Sequence, residues 1–211
     1  MICQSMHRIR VIMKGVKHMH QIERPILYFA YGLSLNPQQM QLKCSNFEKV
    51  GIARLPGYRM DFFEYSPVWD GAMETIVPDE QSEVWGILYR LTDYSWDELD
   101  NCEDARLDGT GAYFRSPVDV YGTDGITRLA MLYLKSRLGK PAFVSSEYMV
   151  QVLLGAVEQG LPAPYIEKLQ AIATKPASYL VPRRPAYERG SCNSRGCEAC
   201  GADCDGSTER K

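Results

Sequence analysis

Strand-like runs dominate the pattern of apolar and polar positions between residues 26 and 134. From Ile26 to about Leu134, runs rich in β-branched and aromatic residues are bounded by glycine, proline and aspartate, a pattern that predicts strands. Thr123, Asp124 and Gly125 separate two of these runs, and Asp-Gly is a strong hairpin signal. This part of the chain is therefore predicted to be a strand-rich domain, interrupted by one short acidic helix.

Near residue 145 the apolar period changes to three and four residues, which predicts a helical end to the domain. Ser145 and Ser146 can cap a helix, and Gly160 can end it. A second short helix is predicted from about Pro164 to Ile172. In the first helix, two adjoining apolar rows at helical spacing are formed by Met149, Leu153 and Ala156 and by Val150, Leu154 and Val157.

The stretch YFAYGLSLNPQQM, residues 28–40, predicts a buried strand that enters a helix through a tight turn. Asn36 is suited to cap that helix, with Pro37 in its first turn. A turn at Gly32 leaves backbone N–H groups unpaired, which suits a carboxylate, a phosphate or a developing oxyanion. An ordinary strand-to-helix connection is the alternative, because glycine is common at turns.

The segment 91–110 holds seven carboxylates, a run that is usually a solvated helix face. If this helix is amphipathic, Leu99 and either Cys102 or Glu103 follow Trp96 at helical spacing, so one carboxylate projects with the apolar side. A carboxylate buried among like charges has a raised pKa, which suits a general base near neutrality.

Length and composition indicate one domain with tails, because 211 residues would be cramped as two domains. A net charge of −2 gives no reason to expect nucleic acid or an anionic membrane as partner. No apolar run approaches the roughly 20 residues that span a bilayer. Seven cysteines, an odd count with no signal peptide ahead of them, favour a reducing compartment and so the cytoplasm.

The two ends of the chain differ from the predicted domain, residues 23–176. Residues 1–22 contain no acid and all three histidines, and are interpreted as a disordered basic arm or as a start placed too early. Residues 177–211 are interpreted as a disordered tail. Four thiolates there could bind zinc, but structural sites normally pair two short knuckles across a longer loop. These cysteines are Cys192, Cys197, Cys200 and Cys204.

Missing residue types exclude several chemistries. Because every histidine lies in the first 22 residues, Cys44, Cys102 and the serines of the domain have no imidazole base, which disfavours serine or cysteine hydrolase chemistry. The chain also contains no P-loop and no Gly-x-Gly-x-x-Gly pattern, so the usual nucleotide-binding functions are not indicated.

From about Leu27 to Ile172 the chain resembles the gamma-glutamylcyclotransferase-like superfamily, and most closely the gamma-glutamylcyclotransferases. The resemblance rests on the order and spacing of YFAYG with LNPQQM, ARLPGY, EVWGILYRL, ELDNCED followed by GAYFRSPVDV, and GAVEQGLPAPYIEKLQAI. It implies an α+β fold, with a mixed, partly closed β-barrel and flanking helices in one domain.

The resemblance also implies an activity and a set of site residues. The expected enzyme, of acyltransferase or lyase type, has the alpha-amine of a gamma-glutamyl group attack its own side-chain carbonyl, which releases 5-oxoproline and an amine or amino acid. Glu103 is then the proton shuttle, Tyr113 a pocket wall and Tyr148 a substrate contact. No cofactor is implied, the partner is a small gamma-glutamyl substrate, and the oligomeric state stays open. The turn expected to hold the gamma-glutamyl unit comprises Tyr28, Phe29, Ala30, Tyr31, Gly32 and Leu33.

The turn departs from the family pattern at one place. Similar proteins have Tyr-Gly-Ser-Asn, whereas this chain has Leu33 and Ser34 at the last two positions. Backbone donors survive the change, because any non-proline residue keeps its N–H, but the side-chain hydrogen bonds do not. Three alternatives follow: a shifted substrate, with an apolar leaving amine if Leu33 faces the pocket; a catalytically weak binding or regulatory module; or an enzyme acting on a gamma-glutamyl intermediate in biosynthesis.

Overall fold

Five strands form a closed mixed barrel in the computed structural model, which describes residues 26–106 and 108–183. In space the strands follow the order β1, β3, β2, β4 and β5. The barrel is fully closed where the sequence predicted partial closure, and the α+β class is confirmed. The strands are β1 (Leu27–Ala30), β2 (Phe47–Ser66), β3 (Gly71–Leu91), β4 (Tyr113–Gly122) and β5 (Thr127–Lys135).

The short strand β1 closes the barrel. It pairs antiparallel with β3 over its whole length and parallel with β5 at Leu27 and Tyr28. All four of its residues are buried, which explains why the sequence there is continuously apolar rather than alternating. Because β1 is held on both sides, the turn that follows it starts from a fixed position.

The long strands β2 and β3 pair antiparallel along most of their length. Irregularities in their register bend the pair, as bulges do in antiparallel sheets. They fall between Lys49 and Gly51, between Pro56 and Tyr58, and between Phe63 and Ser66. The predicted hairpin joins β4 to β5, and Gly125 adopts the positive φ of +77° that the turn requires.

Among the described residues, four α-helices and one short 3-10 turn flank the barrel, and side-chain caps set several of their starts. The Oδ1 atom of Asn36 accepts from the backbone N–H groups of Gln38 and Gln39, as the sequence predicted. The elements are η1 (Leu33–Leu35), α1 (Pro37–Lys43), α2 (Asp93–Glu103), α3 (Ser146–Glu158) and α4 (Ala163–Gln170), with a two-stranded parallel pair of β6 (Val144–Ser145) and β7 (Thr174–Lys175).

Helix α3 buries only one of its two predicted apolar rows. The buried residues include Met149 and Ala156, whereas the row of Val150, Leu154 and Val157 is 49 to 61% exposed. Apolar residues cover more of this helix than one packed face can bury. That face rests on η1 so closely that a Cβ atom at Gly155 would lie 2.3 Å from the backbone nitrogen of Asn36.

The folded region extends past the predicted boundary at Pro176. The backbone N–H and the hydroxyl of Ser178 both donate to Asp70 Oδ2 at 2.6 Å, and Ala177 N–H donates to Glu147. The boundary was placed too early because hydrogen bonds rather than an apolar face hold this segment. The predicted arm 1–22, and the four cysteines of the predicted tail, lie outside the described residues.

Candidate active site

A cavity of about 250 Å³ opens where the ends of α1, α2 and β4 meet strand β3. Both charged and aromatic side chains form its wall, so the cavity offers hydrogen-bonding groups beside flat apolar surfaces. The charged residues are Lys43, Glu74, Glu103 and Asp104, and the aromatic residues are Trp69, Tyr113 and Tyr148.

An ion pair between Lys43 and Glu103 lies in the cavity wall. Lys43 ends α1 and Glu103 ends α2, and the Nζ to Oε1 distance is 2.7 Å. The two side chains are only 17% and 15% exposed, and Nζ also donates to the hydroxyl of Ser34. Burial alone would lower the pKa of Lys43, but the carboxylates of Glu103 and Glu74 outweigh it and raise that pKa. Lys43 is therefore a fixed cation that orients Glu103.

The turn after β1 directs a backbone donor at the cavity. Leu33 N–H donates to Oε1 of Glu74 at 3.2 Å. Gly32 permits this approach, because a Cβ atom there would lie 2.1 Å from the same oxygen. The sequence predicted free N–H groups suited to an anion at this turn, and the anion that occupies one of them belongs to the protein.

Glu74 is the carboxyl of the cavity with a strongly perturbed pKa. Burial raises its pKa to about 7, with a further contribution from Glu103, while Lys43 and Leu33 N–H oppose the shift. Its Oε2 atom is shielded from solvent and has no hydrogen-bond partner among the described residues. Sequence reasoning missed this residue, although an acid between Met73 and Thr75 in a strand-like run was a signal for it.

Buried tyrosines support the turn and the cavity wall. Tyr31 donates its hydroxyl to the backbone oxygen of Tyr133, and Tyr113 donates to the backbone oxygen of Glu74 at 2.8 Å. Burial raises the pKa of Tyr28, Tyr31 and Tyr113 well above the ordinary value. These side chains therefore remain protonated hydrogen-bond donors at neutral pH.

The structure brings only part of the predicted site to the cavity wall. Glu103, Tyr113 and Tyr148 line the cavity, and the ring of Tyr148 meets Trp69 edge to face at 5.3 Å. The side chain of Leu33 is 5% exposed and lies in the core, and its backbone N–H is linked to the cavity wall through its hydrogen bond to Glu74. Core positions are also occupied by Tyr28, Phe29, Ala30 and Tyr31.

Other parts of the described chain offer less chemistry. A more open groove of about 350 Å³ includes Phe47 and Thr92 in its lining, and its charged groups Glu48 and Arg90 pair with each other. Within residues 26–106 and 108–183 no cluster of three or more histidine, cysteine, aspartate or glutamate side chains is placed to hold a metal ion. No helix in the same ranges is long and apolar enough to cross a bilayer.

Comparison with known proteins identifies the family. The family profile described as "Gamma-glutamyl cyclotransferase, AIG2-like" matches residues 28–149. The gamma-glutamylcyclotransferase of Mus musculus is 31% identical over 159 residues, which cover 74% of this chain and 82% of the mouse protein. That of Homo sapiens is 31% identical over 154 residues, covering 71% of this chain and 80% of the human protein. A solved structure named gamma-glutamyl cyclotransferase superposes with a TM-score of 0.68 at 29% identity, covering 74% of this chain and 92% of that one. The chain therefore belongs to the AIG2-like gamma-glutamyl cyclotransferase family.

Proposed function

We propose that this protein is a gamma-glutamyl cyclotransferase that converts a gamma-glutamyl compound into 5-oxoproline and a free amine or amino acid. The observation that carries the proposal is the placement of Glu103, which Lys43 holds in the cavity wall together with Glu74, the acceptor of the Leu33 N–H. The cavity thus offers a carboxylate to an amine, and the donor that Glu74 occupies becomes available to a carbonyl oxygen once Glu74 moves. A cytoplasmic location, expected from the odd cysteine count, is part of the proposal.

Glu103 carries the proton in the proposed reaction. It accepts a proton from the alpha-ammonium of the substrate, whose nitrogen then attacks the gamma-carbonyl carbon. The bond from that carbon to the leaving nitrogen breaks as Glu103 returns the proton to it. The ring nitrogen then gives its second proton to Glu103, which passes it to the departing amine, so 5-oxoproline leaves as a neutral lactam and the amine as an ammonium. Such proton transfer contributes roughly 10²- to 10⁴-fold to the rate. No water or enzyme nucleophile takes part, which agrees with a domain that has no histidine between residues 23 and 176.

The turn from Tyr28 to Leu33 holds the gamma-glutamyl unit in this proposal. Leu33 N–H donates to the carbonyl oxygen as negative charge develops on it, a type of contact worth about 10²- to 10³-fold per donor. The rings of Tyr113 and Tyr148 confine the substrate in the folded shape that ring closure needs. The turn contributes its backbone N–H groups, so the change to Leu33 and Ser34 leaves the donors in place.

The test is release of 5-oxoproline from a panel of gamma-glutamyl amines, amino acids and peptides. Glu103→Gln keeps the shape of the side chain and loses its basicity, so kcat/KM is expected to fall more than tenfold, about 1.4 kcal/mol of transition-state stabilisation. Asp97→Asn removes one charge from an exposed position of the same helix and is expected to leave turnover unchanged. Equal losses in both variants, or a Glu103 variant with more than a tenth of wild-type activity, would contradict the proton-shuttle role.

A binding or regulatory module of the same fold is the second candidate. It is favoured by the contact of Glu74 with Leu33 N–H, because that donor is occupied in the absence of a ligand. A module of this kind binds gamma-glutamyl compounds without consuming them. Calorimetric binding of the panel, together with no 5-oxoproline after prolonged incubation, would select it over the enzyme.

A further inference from the structure

We propose that Glu74 sets the ligand affinity of this site, because its carboxylate occupies Leu33 N–H until an oxygen of a gamma-glutamyl ligand displaces it. The inference rests on the proposed function for the identity of the ligand, but the competing contact is present in the protein itself. Glu74 thereby becomes an affinity-determining residue of the cavity, distinct in role from the proton shuttle Glu103.

The geometry makes the two acceptors mutually exclusive. Oε1 of Glu74 lies 3.2 Å from the nitrogen of Leu33, in the position that a ligand oxygen would take to accept the same hydrogen bond. The carboxylate fits there only because residue 32 is glycine, since a Cβ atom would meet it at 2.1 Å. A ligand oxygen therefore reaches the donor only after Glu74 has moved.

The surroundings of Glu74 make it easy to displace when it is neutral. Lys43 is the nearest cation, but its Nζ bonds Glu103 and Ser34, which leaves Oε2 of Glu74 without a partner among the described residues. Asp104 in the cavity wall pairs with Arg106, outside the cavity lining. The ionisable groups that face Glu74 are Lys43 from α1, Glu103 from α2, Tyr28 from β1, Tyr31 from the turn and Tyr113 from β4, and beyond the Tyr113 ring Lys135 pairs with Glu64.

Competition between Glu74 and a ligand oxygen for Leu33 N–H predicts that the ligand affinity depends on pH. An ionised Glu74 accepts more strongly from Leu33 N–H and repels a carboxylate-bearing ligand, whereas protonated Glu74 does neither. Because the pKa of Glu74 is raised to about 7, affinity is present at pH 6 and is lost as pH rises through 7. If only the protonated form yields the donor, the apparent Kd rises about tenfold between pH 6 and pH 8.

Calorimetric titration with 5-oxoproline tests this directly, because this ligand has no amine and keeps a constant charge between pH 6 and pH 8. Wild type is expected to show the tenfold rise in Kd. Glu74→Gln, which resembles the protonated residue, is expected to keep the pH 6 value throughout. Glu80→Gln removes a charge from an exposed position of the same strand and should behave as wild type. A rise of equal size in Glu74→Gln and wild type would overturn the inference.

The amide of Leu33 provides a readout that needs no ligand. In NMR spectra of the free protein its proton shift should titrate with a midpoint near pH 7 in wild type and in Glu80→Gln, and stay constant in Glu74→Gln. If the chemical shift of the Leu33 amide proton in wild type does not change with pH, the inference is overturned even if the protein releases 5-oxoproline. No 5-oxoproline release from the panel, together with no binding by wild type or Glu74→Ala, would overturn the proposed function as well.

Discussion

Replacing Lys43 with methionine removes the cation from the cavity wall and keeps most of the aliphatic stem. The change leaves Glu103 with no partner in a position where its side chain is 15% exposed. It also removes the positive charge that opposes the raised pKa of Glu74. The variant therefore isolates the energetic role of the pair on which the proposed chemistry depends.

The distance and the burial set the expected size of the effect. Two unit charges 2.7 Å apart attract by about 6 kcal/mol at an effective dielectric constant near 20, before the cost of desolvation is subtracted. Removing one member of a buried pair typically costs about 3 to 5 kcal/mol, because the other charge stays buried without compensation. Since both side chains keep some contact with water, a loss of about 3 kcal/mol in the free energy of unfolding is expected for Lys43→Met.

Urea unfolding followed by circular dichroism at pH 7 measures the loss. The double variant Lys43→Met with Glu103→Gln carries no uncompensated charge, so it should recover at least half of the stability that Lys43→Met loses. Lys49→Met, at an exposed position of β2, is the matched control and should stay within about 0.5 kcal/mol of wild type. A loss below about 1 kcal/mol in Lys43→Met, or single-variant losses that simply add in the double variant, would refute the reasoning.

Two further predictions concern the packing around the site. Gly155→Ala should lower the free energy of unfolding by about 1 to 3 kcal/mol, because its Cβ would meet the backbone of Asn36, whereas Gly51→Ala, with no atom within 4 Å of its Cβ, should be nearly neutral in the same urea assay. Hydrogen bonds from Ser178 lower the pKa of Asp70, so its stabilising effect is present above pH 4 and is lost as pH falls further. Asp70→Asn should accordingly reduce the melting temperature at pH 7, and its melting temperature should decrease less than that of wild type as the pH is lowered below 4. An equal decrease in melting temperature with falling pH in the variant and wild type would contradict this.

Local patterns were sufficient to predict the parts of the fold that depend on neighbours in sequence. The hairpin at Gly125 and the cap at Asn36 follow from the chemistry of a few adjacent residues. The choice of buried face on α3 does not follow from local sequence, because the exposed residues Val150, Leu154 and Val157 have the same helical spacing as the buried ones. The positions of η1 and α4, which both pack against α3, decide which side of that helix is covered.

The candidate site depends even more on contacts between segments that are distant in sequence, which local patterns do not predict. Glu103 was predicted from its own segment and its family resemblance, but its partner Lys43 lies on another helix, and nothing in either segment indicates the pairing. Glu74 lies far along the chain from Leu33, in a strand whose other residues favour burial. Sequence reasoning assigned the raised pKa to the acidic helix because like charges were visible there, whereas burial is the main cause and acts at Glu74.

Because β1 leads into the turn of the candidate site, the site can be completed only when β1 has paired with both of its neighbouring strands. Leu27 pairs with Ala130, so β1, the first strand of the described residues, finds one of its two neighbours only after β5 has been made. Contacts between such distant positions slow folding, because a long loop must be closed before they form. A chain that stops before residue 127 would carry the whole YFAYG motif with β1 paired to β3 alone, without its second neighbour. Binding of 5-oxoproline by a newly made chain is therefore expected to report completed closure, and a nascent chain with the motif exposed should be unable to bind.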